Sequence, residues 1–312
     1  MKQPARLVVI LGPTASGKSA LGIWLAERLG GEALACDSTQ VYRQFEVGTA
    51  KVPPAERHGI PHHLLDLVGP NEIFTAGEYR RRALEVLEDV ERRGRLPIVT
   101  AGTGLYLRAL LEGLADAPAR SEELRARLRE RVERRGAAYL HHLLARLDRE
   151  AAARIAARDT QKVIRALEMR LLAGKTVGEI HRSGRKGLEG YRVHKIGLAP
   201  PRAQLYARID ARVEAMLRAG WLEEVKALLS RGVPATAKPF EFIGYAELRD
   251  HLEGRLSLEE AVKQIQQATR RYAKRQVTWF RREPGVEWFA GFGDAPEIQQ
   301  AVLASLAQSS DG

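Results

Sequence analysis

The chain alternates short apolar runs with segments of helical spacing. Residues 6–11 form an apolar run that ends at a glycine, which is typical of a buried strand. Residues 19–29 then repeat leucine every fourth position and stop at Gly-Gly, as a helix does. Further apolar runs predict strands at 32–36, 96–101, 192–199 and 286–289, and the helical pattern recurs at 78–93. Strands separated by helices predict an α/β fold, with a parallel sheet and helices on both faces.

This strand pattern is interrupted between residues 118 and 190. Ser121 and Asp159 each precede a helical pattern there and can cap it. The two capped helices are predicted over 122–135 and 160–173, and two more follow the interruption at 201–219 and 258–280. We therefore predict an all-helical insertion at 118–190, within an α/β core made of residues 1–117 and 191–312.

The positive charge of the chain is concentrated in and just beyond this insertion. The 312 residues include 50 Lys and Arg against 39 Asp and Glu, a net charge of +11. Residues 118–196 hold 20 of these basic residues and 10 of the acidic ones, so they carry all but one of the surplus charges. Such a segment is either a solvated helical surface or an arm that neutralises the phosphates of a nucleic acid.

A second basic stretch, residues 263–282, contains seven Lys and Arg and no acidic residue. Tyr272, Trp279 and Phe280 lie within it, and such rings either join a core or stack on bases. We expect Trp279 and Phe280, at the end of the predicted helix, to lie in the core.

Other features narrow the class of protein. No apolar run approaches the 18 residues of a spanning helix, and the N-terminus lacks the order of a signal peptide. Cys36 is the single cysteine and cannot form an internal disulfide, and no Cys/His cluster has zinc spacing. We expect a soluble cytoplasmic protein.

Residues 12–19 read Gly-Pro-Thr-Ala-Ser-Gly-Lys-Ser, which fits a phosphate-binding loop at every fixed position. Its glycines let backbone N–H groups turn inward, and the following helix directs its positive end to the same place. Lys18 adds a full charge, and Ser19 can hold Mg²⁺. The sequence thus predicts a core like that of the P-loop NTPases. The alternative is a glycine turn that binds nothing.

The pattern lacks the magnesium-binding aspartate that usually ends a later strand of a P-loop hydrolase. The strand predicted at 96–101 runs into Gly102 instead. The nearest match is the Leu-Leu-Asp of residues 64–66, which follows His62 and His63. This weakens an ordinary ATPase interpretation, and the sequence gives the two histidines no acidic or metal partner.

Polar residues follow two other predicted strands. Asp37 comes directly after the second strand and Thr103 just after the third. Because the carboxyl ends of neighbouring parallel strands line one crevice, both should face the phosphate loop. A carboxylate there can accept a proton from a nucleophile, and the amide of Gln40 can read a base edge. Asp37 could equally be a turn or cap residue, and residues 102–104 a tight turn.

Taken together, these motifs resemble the tRNA dimethylallyltransferases, also called tRNA isopentenyltransferases. The family's segments are found in order at 12–19, 37–42, 61–66, 101–106, 159–168, 205–209, 243–245 and 272–280, so the resemblance covers nearly the whole chain. There are two departures. Ala101 replaces a usual glycine, and Lys162 replaces a usual arginine, which keeps the charge but loses the planar fork.

The resemblance implies transfer of a dimethylallyl group from its diphosphate to the exocyclic N6 amine of the adenosine 3′ of the anticodon. Asp37 would accept the amine proton, and Thr103 would help to place the reacting groups. Lys18, Arg208 and Ser19 with Mg²⁺ would stabilise the departing diphosphate. The diphosphate would be held by Gly12, Pro13, Thr14, Ala15, Ser16, Gly17, Lys18 and Ser19.

The resemblance also implies contacts with the anticodon stem-loop of tRNA. On the core these are Asp37, Ser38, Thr39, Gln40 and Thr103; on the insertion they are Arg125, Gln161, Lys162, Val163, Ile164 and Arg165. We expect Mg²⁺ as cofactor, tRNA and dimethylallyl diphosphate as partners, no membrane, and a monomer. The alternatives are a nucleoside or small-molecule kinase that uses the loop for ATP, and an RNA-binding protein without activity.

Overall fold

A computed structural model describes residues 4–182 and 184–308. In these residues six strands form one parallel sheet in the order β3-β2-β4-β1-β5-β6. The strands are β1 (Ala5–Leu11), β2 (Gly31–Cys36), β3 (His62–His63), β4 (Leu96–Ala101), β5 (Tyr191–Leu198) and β6 (Val286–Phe289). The predicted α/β class with a parallel sheet is confirmed. Strand β3 was not predicted, because two residues are too few to show a pattern.

The chain divides into two compact units. The first contains residues 1–110 and 189–312, and the second is Leu111–Leu188. The predicted boundaries of the insertion, residues 118 and 190, lie seven and two residues from the boundaries of this second unit. The second unit begins earlier than predicted because its two connecting segments pair with each other: Leu188 N–H donates to the Leu111 carbonyl, and Ala115 bridges Arg185.

The first unit also contains eight α-helices in its described residues. They are α1 (Lys18–Leu29), α2 (Ala76–Arg92), α3 (Gly104–Glu112, which continues into the second unit), α9 (Arg202–Arg218), α10 (Trp221–Ser230), α11 (Tyr245–Leu252), α12 (Leu258–Phe280) and α13 (Pro296–Gln308). Short 3₁₀ helices cover Pro54–Arg57 and Lys238–Glu241. No described helix has the length and apolar character needed to cross a membrane.

The core of the first unit forms around β1, whose residues Leu7 to Leu11 are fully buried because neighbours pair on both sides. The helix that the leucine spacing predicted is α1, and its Leu21 and Leu25 pack onto this strand. Strands β1, β2 and β4 end at the same level of the sheet, because Leu11 and Cys36 both pair with Ala101. The loops that follow β1, β2 and β4 therefore start side by side at one edge of the sheet.

One expectation about the core was wrong. Phe280 is buried, but Trp279 is 41% exposed. The indole lies against the backbone of Gly104, where a Cβ would collide with its ring nitrogen. Adjacent residues of a helix point about 100° apart, so burial of Phe280 turns Trp279 away from the core.

In the described residues of the second unit all regular elements are helices, and the bridge between Ala115 and Arg185 is isolated. Its helices are α4 (Glu122–Arg135), α5 (Ala137–Leu147), α6 (Arg149–Arg154), α7 (Thr160–Ala173) and α8 (Val177–Arg182). Ser121 accepts from Leu124 N–H and Asp159 from Lys162 N–H, so both are N-caps, as predicted. An apolar core of its own includes Leu140, Leu144 and Leu167, all fully buried.

Candidate active site

The loop between β1 and α1 has the curled backbone of a phosphate cradle. Gly17 adopts a positive φ of 85° and leads into the first turn of α1. Ala15 is also left-handed, with φ of 62°, an unfavourable conformation for a residue with a Cβ. The Ser16 hydroxyl is completely buried and has no hydrogen-bond partner among the described residues. A buried hydroxyl without a partner is costly, and an anion seated in the loop would supply the missing acceptor.

Lys18 points back into this loop, where its Nζ donates to the Pro13 carbonyl at 2.7 Å. Burial lowers the pKa of Lys18 to about 7; the Asp37 carboxylate opposes this shift and the Arg212 guanidinium adds to it. Ser19 is exposed and lines the cleft in front of the loop. The cradle therefore presents an amine that an incoming anion would convert fully to its charged form.

Asp37 follows β2 directly, at the sheet edge where the sequence placed it. Its Oδ1 accepts hydrogen bonds from Thr39 N–H at 2.9 Å and from Thr39 Oγ1–H at 2.7 Å. Its Oδ2 lies against Gly102, where a Cβ would collide with it. Thr39 thus fixes the rotation of the carboxylate, and the close approach to Gly102 requires glycine at that position.

Thr103 joins the end of β4 to the loop that carries Asp37. Its Oγ1 accepts from Ser38 N–H at 2.9 Å and lies 3.2 Å from Ser38 Oγ. The backbone N–H groups of Gly102 and Thr103 both donate to the Cys36 carbonyl at 3.0 Å. Cys36 itself is buried, and burial raises the pKa of its thiol to about 12. The structure therefore brings Lys18, Asp37 and Thr103 together at three adjacent strand ends.

Two arginines of α9 lie near this site. Arg208, the predicted partner of the diphosphate, makes a bidentate ion pair with Asp294, with both N–O distances 2.8 Å. Arg212, one turn later, lines the cleft and has no hydrogen-bond or ion-pair partner among the described residues. Burial and the Arg208 charge lower the pKa of Arg212, whereas Asp37 opposes the shift. Sequence reasoning missed Arg212; its spacing of four residues from Arg208 was the available signal.

Lys18, Asp37, Gly102, Arg208 and Arg212 line one cleft of about 930 Å³. Besides the residues above, its wall includes Thr39 and Gln40. Its apolar wall includes Ile209, Val213, Met216, Trp221, Phe242 and Ile243. The amide nitrogen of Gln40 donates to the Thr49 and Ala50 carbonyls at 3.1 and 3.3 Å, so this N–H₂ group fastens its own loop. The cleft combines a phosphate cradle, a carboxylate and an apolar wall.

The near match to a magnesium aspartate has a different role. Asp66 forms an ion pair with Lys51, whose side chain is only 2% exposed. His63 contacts the buried Glu32 at 2.7 Å, and Arg93 contacts the same carboxylate at 2.7 Å. The acidic partner that the sequence could not assign to His63 is therefore a residue of β2.

In the second unit, most of the predicted tRNA-contacting side chains are engaged internally. Arg125 and Arg165 bind the completely buried carboxylate of Glu168, at 2.7 and 2.6 Å. Val163 and Ile164 are buried, so any RNA contact from these two positions would come from the backbone. Gln161 and Lys162 are exposed, and Lys162 forms a short ion pair with Asp159.

The fold and the cleft define a class: an α/β protein with a parallel sheet whose first strand and first helix are joined by a curled loop of P-loop sequence, which opens on a cleft. A family model described as IPP transferase matches residues 40–283. The chain belongs to this IPP transferase family.

Curated relatives and solved structures agree with the family match. The tRNA dimethylallyltransferase of Solibacter usitatus is 52% identical over 302 residues, with 97% of this chain and 98% of the relative covered. That of Koribacter versatilis is 53% identical over 303 residues, covering 97% and 98%. A tRNA isopentenylpyrophosphate transferase from Bacillus halodurans has a TM-score of 0.71 at 37% identity, with 98% of each chain covered. A eukaryotic dimethylallyltransferase acting on tRNA has a TM-score of 0.83 at 27% identity, covering 98% of this chain and 80% of the other.

Proposed function

We propose that this chain transfers a dimethylallyl group from dimethylallyl diphosphate to the exocyclic N6 amine of the adenosine 3′ of the anticodon in tRNA, and releases diphosphate. The observation that carries the proposal is the placement of the Asp37 carboxylate beside the phosphate cradle, in one cleft with an apolar wall. The names of the relatives, tRNA dimethylallyltransferases at 52% and 53% identity, support the same reaction.

The leaving group would occupy the cradle. The backbone N–H groups of the loop, the positive end of α1, Lys18 and Arg212 all direct positive charge there. The buried Ser16 hydroxyl gains an acceptor when the diphosphate is bound. This charge is most useful as the carbon–oxygen bond breaks and negative charge grows on the bridging oxygen. Arg208 can join only by leaving Asp294, so Arg212 is the more available cation.

The residues at the cradle fit Mg²⁺. Ser19 offers a hydroxyl oxygen at the mouth of the cradle, and among the described residues no cluster of three or more His, Cys, Asp or Glu could hold a metal by itself. Mg²⁺ suits such a site because it keeps several waters and binds through one or two protein oxygens and substrate phosphates. When bound, it would neutralise charge on the diphosphate oxygens.

The nucleophile would approach from the side of Asp37. The N6 nitrogen forms a bond to C1 of the dimethylallyl group, the C1–O bond breaks, and diphosphate leaves with the electron pair. N6 then gives up one proton, which Asp37 accepts through Oδ2, because Oδ1 is held by Thr39. The adenine amine is a weak nucleophile, so its alignment by Asp37 and the segment around Thr103 would supply much of the rate.

The tRNA would be bound by both units, each through its own surface. An unpaired adenosine of the anticodon loop can be splayed out at little cost and reach a recessed carboxylate. The second unit would supply phosphate contacts through exposed basic residues of its surface, such as Lys162. We also propose that the chain acts in the cytoplasm, where tRNA is available, and as a monomer.

The test is a transfer assay with radiolabelled dimethylallyl diphosphate, Mg²⁺ and unmodified tRNA, followed by nucleoside analysis. We expect label on N6 of the adenosine 3′ of the anticodon, incorporated about a hundredfold or more slowly by the Asp37→Ala variant. Unlabelled tRNA with folded wild-type protein would contradict the proposal; phosphate transfer from ATP to a nucleoside would then favour a kinase. Binding of tRNA should weaken steeply with salt, and a flat response would contradict the phosphate contacts.

A further inference from the structure

Gln276 connects two loops of the active site and is used by none of the steps above. It lies on α12, and only 6% of its surface is exposed. Its Oε1 accepts a hydrogen bond from Thr14 N–H at 2.8 Å, and its Nε2 donates to the Gly102 carbonyl at 2.7 Å. Because one partner is an N–H and the other a carbonyl, only this orientation of the amide satisfies both.

The two loops that Gln276 joins serve opposite sides of the reaction. Thr14 belongs to the cradle, three residues beyond the end of β1. Gly102 begins the turn that carries Thr103, and its α carbon lies against Oδ2 of Asp37. The sheet aligns β1 with β4 only as far as the pair Leu11 and Ala101. Beyond that pair, the Gln276 amide ties the cradle to the turn beside the general base.

The surroundings make this link stiff. Gln276 is buried, and loss of its side-chain amide would remove the acceptor of Thr14 N–H. The Tyr272 hydroxyl, one helical turn earlier, donates to the same Gly102 carbonyl at 3.3 Å. One helix thus holds the turn at two points and the cradle at one.

We propose that Gln276 is a positioning residue that sets the separation between the diphosphate cradle and Asp37, and so between the leaving group and the amine. The proposal rests on the proposed function. In a displacement, the nucleophile and the leaving group must lie on opposite sides of one carbon, and small misplacements have large effects on rate. Loss of the link should therefore lower kcat while each substrate still binds to its own loop.

The first test compares Gln276→Met, which keeps the volume but loses both hydrogen bonds, with the wild type. The control is Gln266→Met on the same helix, where the amide contacts only the Asp210 carbonyl, at 3.5 Å. We expect kcat of Gln276→Met to fall about tenfold to a hundredfold, with KM for both substrates within about threefold of wild type. The control should keep kcat within about twofold.

The second test uses Gln276→Glu and does not depend on Gln276→Met being folded. A protonated glutamic acid can donate to Gly102 and accept from Thr14, whereas the ionised form can only accept. Burial raises the pKa of a carboxyl, so the protonated form should gain population near neutral pH. We expect the ratio of kcat for this variant to that of wild type to rise at least about threefold from pH 8 to pH 6. The ionisable side chains around this site, such as Lys18, Asp37 and Tyr272, are the same in both proteins, so the ratio isolates the effect of the group at position 276 to first order.

Failure of the positioning role and failure of the proposed function would give different results. A kcat for Gln276→Met within about twofold of wild type, a loss confined to KM, or a pH-independent ratio for Gln276→Glu would overturn the positioning role. Wild-type protein that transfers no dimethylallyl group would overturn the proposed function instead.

Discussion

The second unit is stabilised by one buried carboxylate, that of Glu168. Removal of this carboxylate should lower the stability of the unit by an amount that can be worked out from its pKa. Glu168 is completely buried and accepts four hydrogen bonds. These come from Ser121 N–H at 2.8 Å, Arg125 Nε and Nη2 at 2.9 and 2.7 Å, and Arg165 Nη1 at 2.6 Å. Burial alone would raise the pKa of Glu168, but these donors outweigh it and hold the pKa at about 2.

The size of the effect follows from that shift. Against an ordinary value of 4.5, a folded pKa of about 2 corresponds to about 3 kcal/mol of stabilisation at pH 7. Because the folded pKa of Glu168 is the lower one, this stabilisation is complete above pH 4.5 and is lost as pH falls toward 2. At pH 3 about 1.4 kcal/mol remains. Gln imitates the protonated side chain, so Glu168→Gln should lose the same amounts.

Amide hydrogen exchange of α4 and α7 measures this loss within the unit itself. The opening free energy of Glu168→Gln should lie about 3 kcal/mol below wild type at pH 7, and the difference should shrink by half or more at pH 3. The control is Glu130→Gln, whose exposed pair with Arg134, 2.7 Å apart, should contribute less than about 0.5 kcal/mol. Equal protection at pH 7, or a difference independent of pH, would refute the reasoning.

Three further predictions concern the cleft. Asp37→Asn should lower kcat about a hundredfold or more and leave tRNA affinity unchanged, measured by single-turnover transfer and filter binding; unchanged turnover would remove Asp37 from the mechanism. Binding of the diphosphate substrate at pH 8 should take up roughly 0.9 proton, because the anion restores the charge of Lys18, whose pKa is about 7 in the free protein. Calorimetry in buffers of different ionisation enthalpy measures this proton uptake. The uptake should become smaller toward pH 6 and should be absent from the Lys18→Met variant. Equal uptake by the variant would rule out Lys18 as the group that takes up the proton. Gly102→Ala should lower kcat at least about tenfold, because the added Cβ displaces Oδ2 of Asp37; a rate within twofold of wild type would show that the carboxylate can move freely.

Local features of the chain could be predicted because their causes are local. An apolar run bounded by glycine becomes a strand such as β1, and Ser121 or Asp159 caps a helix within three residues of itself. The curl of residues 12–19 could be predicted from its own glycines and the helix that follows, although distant residues such as Gln276 also hold it. For these elements the sequence was sufficient.

Side-chain partners could not be predicted, because they depend on which distant segments meet. Both α9 arginines look equivalent in the sequence, yet Arg208 is held by Asp294, 86 residues away, and Arg212 is left to face the cleft. The arginines around Glu168 look like a solvated basic surface, and the fold turns two of them inward. Likewise, Gln276 lies in the segment 272–280 that carries the family resemblance, but nothing in that segment predicts its hydrogen bond with Thr14, which is 262 residues away.

The sequence by itself therefore determined the α/β class, the helical insertion, the phosphate cradle and the carboxylate that follows β2. The tertiary structure decided which charged side chains form ion pairs and which remain unpaired in the cleft. It also decided which buried amide connects the phosphate cradle to the turn beside Asp37. The physical reason is range: backbone geometry is set within a few residues, whereas the pairing of buried polar groups is set by the packing of elements that the chain brings together only when it folds.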